Sequence, residues 1–290
     1  MNTRTAAAKK HGLRPGRLLP GLLKHLFLAG YAVVVIYPVL WVITSSLKDT
    51  LEIFASPWKL PTMLRFENYA RAWIEAQLGR YFLNSIFVTV ITLLFVTYIG
   101  AMAAYVIARI PFWGQKFFYY FFTSGLVFTV FLVLVPLFIL LKDLRMLDTY
   151  YGLISAYVAY SLAFTIFVLV GFFRTVPGEM AEAARVDGCS EFAIFWRVML
   201  PIARSGLITA TIFNALGIWN EFILAMIIIA RNELRTLPIG LAAMLNRNQY
   251  RTDWPALFAG LVIVIVPTFM AYAFFQRQLT ENVTAGAIKG

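Results

Sequence analysis

The sequence is poor in the groups from which soluble chemistry is built. It has one cysteine, Cys189, in 290 residues. That excludes an internal disulfide framework and any multi-cysteine metal site. Its two histidines, His11 and His25, both precede the first long apolar run, so a histidine-centred active site is not expected. Charged residues make up only 13% of the chain. Neither the phosphate-cradling G-x-x-x-x-G-K-S/T run nor the zinc-binding H-E-x-x-H occurs. No nucleophile–base pair is evident. The chain is therefore not expected to be an enzyme, nor to bind a cofactor or metal.

What it has instead is apolar surface. Hydrophobic residues make up 61% and aromatic residues 16%, more than a soluble fold can hide. The expected class is an all-α integral membrane protein. A span needs about 20 apolar residues. Six can be drawn, near Leu26–Ser46, Asn84–Ala108, Phe117–Leu141, Tyr151–Phe173, Leu207–Ala230 and Pro255–Phe275. The expected organisation is a basic tail at 1–25, a six-span domain at 26–275 and a short tail at 276–290. Pro38, Pro136 and Pro267 fall inside spans, where a packing kink is the default and a gating hinge the alternative.

Six basic residues and no acid precede the first span. The positive-inside rule keeps such a segment in the cytoplasm, and an even number of spans returns the other end to the same side. The loop at 174–206 is then cytoplasmic. The loops at 47–83 and 231–254 are external. Lys and Arg number 14 on the expected inside and 11 outside, so the bias rests on the N-terminal tail. The net charge of +11 thus reads as topology and lipid contact, and nucleic acid is not expected as a partner. A cleaved signal peptide is not expected either: the first apolar run is long and no small-x-small site follows it. In the long external loop, Phe66, Tyr69, Trp73 and Ile74 fall at helical spacing, as on an amphipathic helix at the outer interface.

One stretch is out of keeping with its apolar surroundings: EMAEAARVDGCSEFAIFWRVMLP, from Glu179 to Pro201. Acids at 179 and 182 suit a helix N-terminus. Gly188 suits a left-handed stop, and Ser190 suits the cap of a second helix near Glu191–Met199. Two short helices joined at Asp187-Gly188-Cys189 are expected. Ala181, Ala183 and Ala184 keep the first one slim. Such a hairpin either enters a groove in another protein or packs on its own bundle, and the residues alone leave both open.

The motif Glu182-Ala183-Ala184, with Asp187, Gly188 and a later Leu200-Pro201, resembles the EAA signature of permease subunits of ATP-binding-cassette importers. The preceding VPGEM fits the carbohydrate-importer version. ENYARAW (Glu67–Trp73), RYFLNS (Arg80–Ser85), WNEF (Trp219–Phe222), TLPIGL (Thr236–Leu241) and TAGAIKG (Thr284–Gly290) are similar to the same family. The resemblance implies a six-helix type I importer permease of the bacterial inner membrane, with both termini cytoplasmic. It implies a second related permease, two ATPase subunits carrying ATP and Mg, and an extracytoplasmic substrate-binding protein. It implies that the EAA loop docks on the ATPase, with Glu182 facing an arginine there. Thr284, Ala285 and Gly286 are expected against the ATPase subunits as well.

In span five, Ala210, Asn214, Gly217 and Glu221 fall on one helical face, with Asn220 beside them. They either line a translocation path or latch the bundle. The loop at 231–254 carries Arg231, Arg235, Arg247 and Arg251, with Asn246 and Tyr250, against Glu233 and Asp253. The resemblance turns Arg235, Asn246, Arg247, Tyr250 and Arg251 toward the binding protein. The loop's net +2 either aids docking or attracts an acidic, uronic-acid oligosaccharide. The competing class is a secondary transporter with Glu221 as ion carrier.

Overall fold

The computed structural model describes the backbone of residues 18–246 and 252–287, and the side chains of residues 23–245 and 252–276. Among the described residues the chain is helical and has no strand. Helix α1 is Leu18–Ser45. A folded loop follows, with α2 (Thr50–Ala55) and α3 (Glu67–Ala70), the latter running on as a π turn over Arg71–Glu75. Next come α4 (Leu78–Arg109), α5 (Gln115–Ser124), α6 (Val130–Asp143) and α7 (Tyr150–Thr175). A hairpin is made by α8 (Glu179–Val186), α9 (Glu191–Ile194), a π turn over Phe195–Met199 and α10 (Leu200–Ile202). Then follow α11 (Arg204–Trp219), α12 (Ile223–Ile228), α13 (Leu237–Asn246) and α14 (Trp254–Ala287).

Among the described residues, four stretches are long and apolar enough to cross a membrane: Leu23–Ser45, Leu78–Arg109, Tyr150–Thr175 and Trp254–Gln276. They coincide with expected spans one, two, four and six. Spans three and five are helical but broken, where continuous helices were expected. In span three, the Thr123 hydroxyl donates to the Tyr119 carbonyl at 2.7 Å and Ser124 to Phe121 at 2.8 Å. Side chains that take up carbonyls in this way compete with the next turn, and α5 ends before Gly125. In span five, the Asn220 amide donates to the Leu216 carbonyl at 2.8 Å. The Glu221 carboxylate accepts from the backbone of Leu224 and Ala225 at 2.8 and 3.1 Å. These two polar side chains take over backbone partners and stop α11.

The centre of the fold is the α4–α7 pair. Val88, Thr92, Val96, Gly100 and Ala104 are buried at steps of four on α4. Leu153, Tyr157, Ser161, Thr165, Leu169 and Phe173 form the matching stripe on α7. A β-carbon on Gly100 would lie 2.6 Å from Thr165 Cγ2, so glycine is what lets the backbones close. Water cannot drive helices together inside hydrocarbon, and close van der Waals packing of small residues takes over. At one end of the pair, Tyr105 and Phe173 extend this core into the hairpin through Ala181, Ala184, Ile194 and Met199. At the far end, Tyr81 packs with Leu237, Ala256 and Ala259.

Helix α1 stands apart along most of its length. It meets the bundle near Trp41, whose ring lies 5.2 Å from that of Phe258 on α14. The far-end loop is pinned by Lys48, only 1% exposed, whose Nζ donates to the carbonyls of Ser56 and Pro57 at 3.2 and 3.0 Å. In the same loop Tyr69 reaches Ser46 at 2.7 Å, while Phe66 and Ile74 stay exposed. Helix α14 continues without a break to Ala287, so the expected tail from 276 is helical over most of its length. The expected loop at 231–254 contains α13, whose Leu237 and Ile239 are buried.

Gly100→Val should force α4 and α7 apart and cost about 1–3 kcal/mol, the usual range for overpacking. Thermal unfolding of the purified protein in detergent would show a lower midpoint. An unchanged midpoint would mean that Thr165 yields without cost.

Candidate functional site

The hairpin is built as its sequence suggests, and its turn is fully bonded. Gly188 has φ +80°, a conformation that L side chains rarely adopt. Its N–H donates to the Arg185 carbonyl, and the Cys189 N–H to the Ala184 carbonyl, both at 3.0 Å. This is the pair of hydrogen bonds that closes a glycine-terminated helix. Ser190 then caps α9 by accepting from Ala193 N at 3.3 Å.

The two faces of α8 differ. Ala181 and Ala184 are buried against the bundle. Glu182, Ala183 and Asp187 point outward, with Glu179 one turn earlier. Val186 is 89% exposed and Phe192 is 61% exposed on the same hairpin. Leu200 packs on the core below, and exposed Pro201 stands at the elbow, where the chain bends by 76° into α11. So five of the seven motif residues gather on one helix and its turn, and two lie at the opposite end of the hairpin.

Four further residues hold the hairpin in place. Arg185 Nε lies 2.6 Å from Glu191 Oε1, and the Tyr105 hydroxyl on α4 donates to Glu191 Oε2 at 3.0 Å. The Arg185 hydrogen bond holds the Glu191 carboxyl below its ordinary range, partial burial opposes it, and the Tyr105 bond adds to the lowering. Arg109, also on α4, donates to the Val176 carbonyl just before the hairpin.

Above the hairpin, α7 and α11 enclose a cleft of about 330 Å³ lined by Tyr157, Tyr160, Phe213, Asn214, Gly217 and Glu221, among others. Glu221 lies just beyond the end of α11 and still reaches the cleft. Its carboxylate accepts from the Tyr157 hydroxyl at 2.6 Å as well as from the two backbone groups of α12. Asn214 donates to Thr165 Oγ1 at 2.7 Å, and Thr165 donates to the Ser161 carbonyl at 2.8 Å. Nothing lies within 4 Å of a β-carbon built on Gly217, so that glycine faces open space. Asn220 is exposed, bonds to its own helix and does not line the cleft.

At the far end, charges of the loop pair with residues outside it. Arg231 Nε lies 2.8 Å from Asp148 Oδ2. Asp148 Oδ1 also accepts from Ala230 and Arg231 N–H at 3.0 and 2.9 Å. Partial burial pushes the Asp148 carboxyl up, but these donors outweigh it and bring it below its ordinary range. The clasp is therefore charged at neutral pH and weakens only as pH falls through that lowered value. Asp253 is paired with Arg71 at 3.4 Å. Arg235 lines a second cavity of about 370 Å³ with Asn232, Tyr81 and Gly240. Its Nε is buried without a partner among the described residues. Arg247, Tyr250 and Arg251 lie outside the described residues, as do the side chains of Asn246, Thr284, Ala285 and Gly286. The sequence reading missed Tyr105, Tyr157 and Asp148. A lone tyrosine in a span, or a lone acid in a turn, carries no local signal for its distant partner.

Comparison with known proteins gives these features a setting. Residues 97–283 match the family of binding-protein-dependent transport system inner membrane components. The chain is 45% identical over 267 residues to the diacetylchitobiose uptake system permease protein NgcG of Streptomyces coelicolor, covering 92% of this chain and 88% of that one. It is 31% identical to the trehalose transport system permease protein SugB of Mycobacterium tuberculosis, covering 90% and 94%. A crystal structure of a bacterial ABC transporter that imports the acidic polysaccharide alginate has a chain of like fold. There the TM-score is 0.80 at 22% identity, covering 92% of this chain and 98% of that one.

Gly188→Val should strain the turn by about 1–2 kcal/mol, the cost of placing a side chain in the left-handed region. Hydrogen exchange at the Gly188 and Cys189 amides should quicken, and Gly188→Asn should be milder. Unchanged protection in the valine variant would remove the strain argument.

Proposed function

The chain belongs to the family of binding-protein-dependent transport system inner membrane components, and on that premise we propose how this member works. It is a multi-pass permease of a sugar importer of the ATP-binding-cassette class. We place the hairpin and both termini in the cytoplasm. The hairpin docks in a groove of an ATPase subunit, and a second permease completes the translocation path. The extracytoplasmic binding protein delivers cargo at the far end, near Arg235 and α13. The last turns of α14, with Thr284, Ala285 and Gly286, lie near the ATPase subunits. The observation that carries this reading is the outward face of the hairpin. Its inner alanines already bury one side, yet an acid, a slim alanine and an almost fully exposed valine are left on the other. An apolar patch rimmed by charge is what a docking surface looks like.

The cleft supports a path for saccharide. Aromatic faces at Tyr160, Phe164 and Phe213 alternate with polar groups at Ser161, Asn214 and Glu221, the mixture that a polar ligand with apolar faces requires. Glu221 already accepts three hydrogen bonds, which suits a fixed wall better than an ion carrier. For cargo, we infer a neutral or N-acetylated oligosaccharide, from the diacetylchitobiose named in the relative that is 45% identical.

Two outcomes test this. Glu182→Lys should leave the permease in the membrane but lower ATP-driven uptake by about tenfold or more, because like charge would face the partner arginine in a partly buried contact. Normal uptake would reject the docking role of Glu182. In the complete importer, neutral oligosaccharides should be taken up and uronic-acid oligomers should not. Uptake of uronic-acid oligomers that weakens with added salt would reverse the cargo assignment.

A further inference from the structure

The hairpin is joined covalently to α7 through 176–178 and to α11 at the elbow by Ala203. A third connection runs to α4 and is made by side chains alone. Tyr105 is 3% exposed, with its ring 5.8 Å from Phe173 on α7 and 5.3 Å from Phe195 on the hairpin. Only its hydroxyl leaves this apolar packing, and it donates to Glu191 Oε2 at 3.0 Å. The other oxygen of the same carboxylate holds Arg185 of α8 at 2.6 Å. One carboxylate at the start of α9 thus ties α8 on one side and α4 on the other.

We propose that Tyr105 and Glu191 are positioning residues that fasten the hairpin to α4, so that a displacement imposed on the hairpin is passed directly to the central α4–α7 pair. The proposal rests on the reading that the hairpin docks on an ATPase subunit. Without the brace, α8 and α9 keep their chain ends and their non-directional apolar packing on the core, but lose the directional tie from α9 to α4, and the Gly188 turn and the Ala203 elbow can absorb the motion. With it, hairpin and α4 move together. A hydrogen bond to a charged group suits this role, since it is stronger and more directional than a neutral one. The phenol is the right side chain here because its ring fills an apolar site while its hydroxyl reaches the edge.

The test uses the complete importer in proteoliposomes, with Cys189→Ala as background. Tyr105→Phe keeps the ring and removes only the hydroxyl. It should assemble normally, yet sugar moved per ATP hydrolysed should fall about five- to tenfold, in keeping with a half-exposed hydrogen bond to a charge. Glu191→Ala should fall at least as far, because it also frees Arg185, and adding Tyr105→Phe to it should cost nothing more, because the hydroxyl then has no partner left to lose. Glu191→Gln keeps an acceptor for Tyr105 and should retain most of the coupling. Spin labels at Val106 and Val186 should show a broader distance distribution in Tyr105→Phe. An unchanged ratio, additive losses or an unbroadened distribution would each overturn the brace. Failure of the docking reading shows separately: a cysteine at Val186 would then not cross-link to the ATPase subunit, whatever the label distances do.

Discussion

In hydrocarbon, a backbone N–H or C=O without a partner costs several kcal/mol, so a spanning chain must satisfy itself. That constraint governs the rest of this structure. It makes the long helices α1, α4, α7 and α14 unbroken, and it decides where breaks are affordable. Span five stops at Asn220–Phe222 only because Asn220 and Glu221 supply the bonds that the helix gives up. Span three stops before Gly125 beside two hydroxyls that bond back to their own turn. The polar groups of the transmembrane region are thus largely employed in holding irregular backbone open beside the cleft.

The same economy explains the α4–α7 pair. Packing in lipid depends on close approach, which Gly100 allows, and on a few polar ties between helices. Asn214 to Thr165, Thr97 to Thr211 at 3.2 Å and Tyr157 to Glu221 join α4, α7 and α11 at successive levels. The hairpin is seated on the end of this assembly, with Ala181, Ala184 and Ile194 in one apolar cluster with Tyr105 and Phe173. Its charged surface is therefore free for another molecule.

Much of this was legible in the sequence, for physical reasons that vary by element. Four spans declared themselves because length and hydropathy suffice. The hairpin declared itself through local chemistry: a glycine that must be left-handed, a serine that must cap, and alanines that must be slim. The docking role proposed above comes from family resemblance, since spacing alone left it open. The breaks in spans three and five were hidden because apolar runs continue through them, and the causes are side-chain bonds invisible to hydropathy. The partners of the loop charges were hidden for a related reason. Charge counted along one loop omits the acid across the gap, and Asp148 sits 83 residues from Arg231.

The 76° elbow at Ala203 also has a mechanical meaning. Helix α11 has 16 residues, so at about 1.5 Å per residue it is an arm of roughly 24 Å. Were the hairpin to tip this arm by about 10°, its far tip would sweep roughly 4 Å, close to the width of a sugar hydroxyl and its hydrogen-bond partner. The break at Asn220 lies at that tip, where the sweep is greatest. In the importer proposed above, a stiff rod ending in a soft joint would turn a small rotation at the hairpin into an opening beside the cleft.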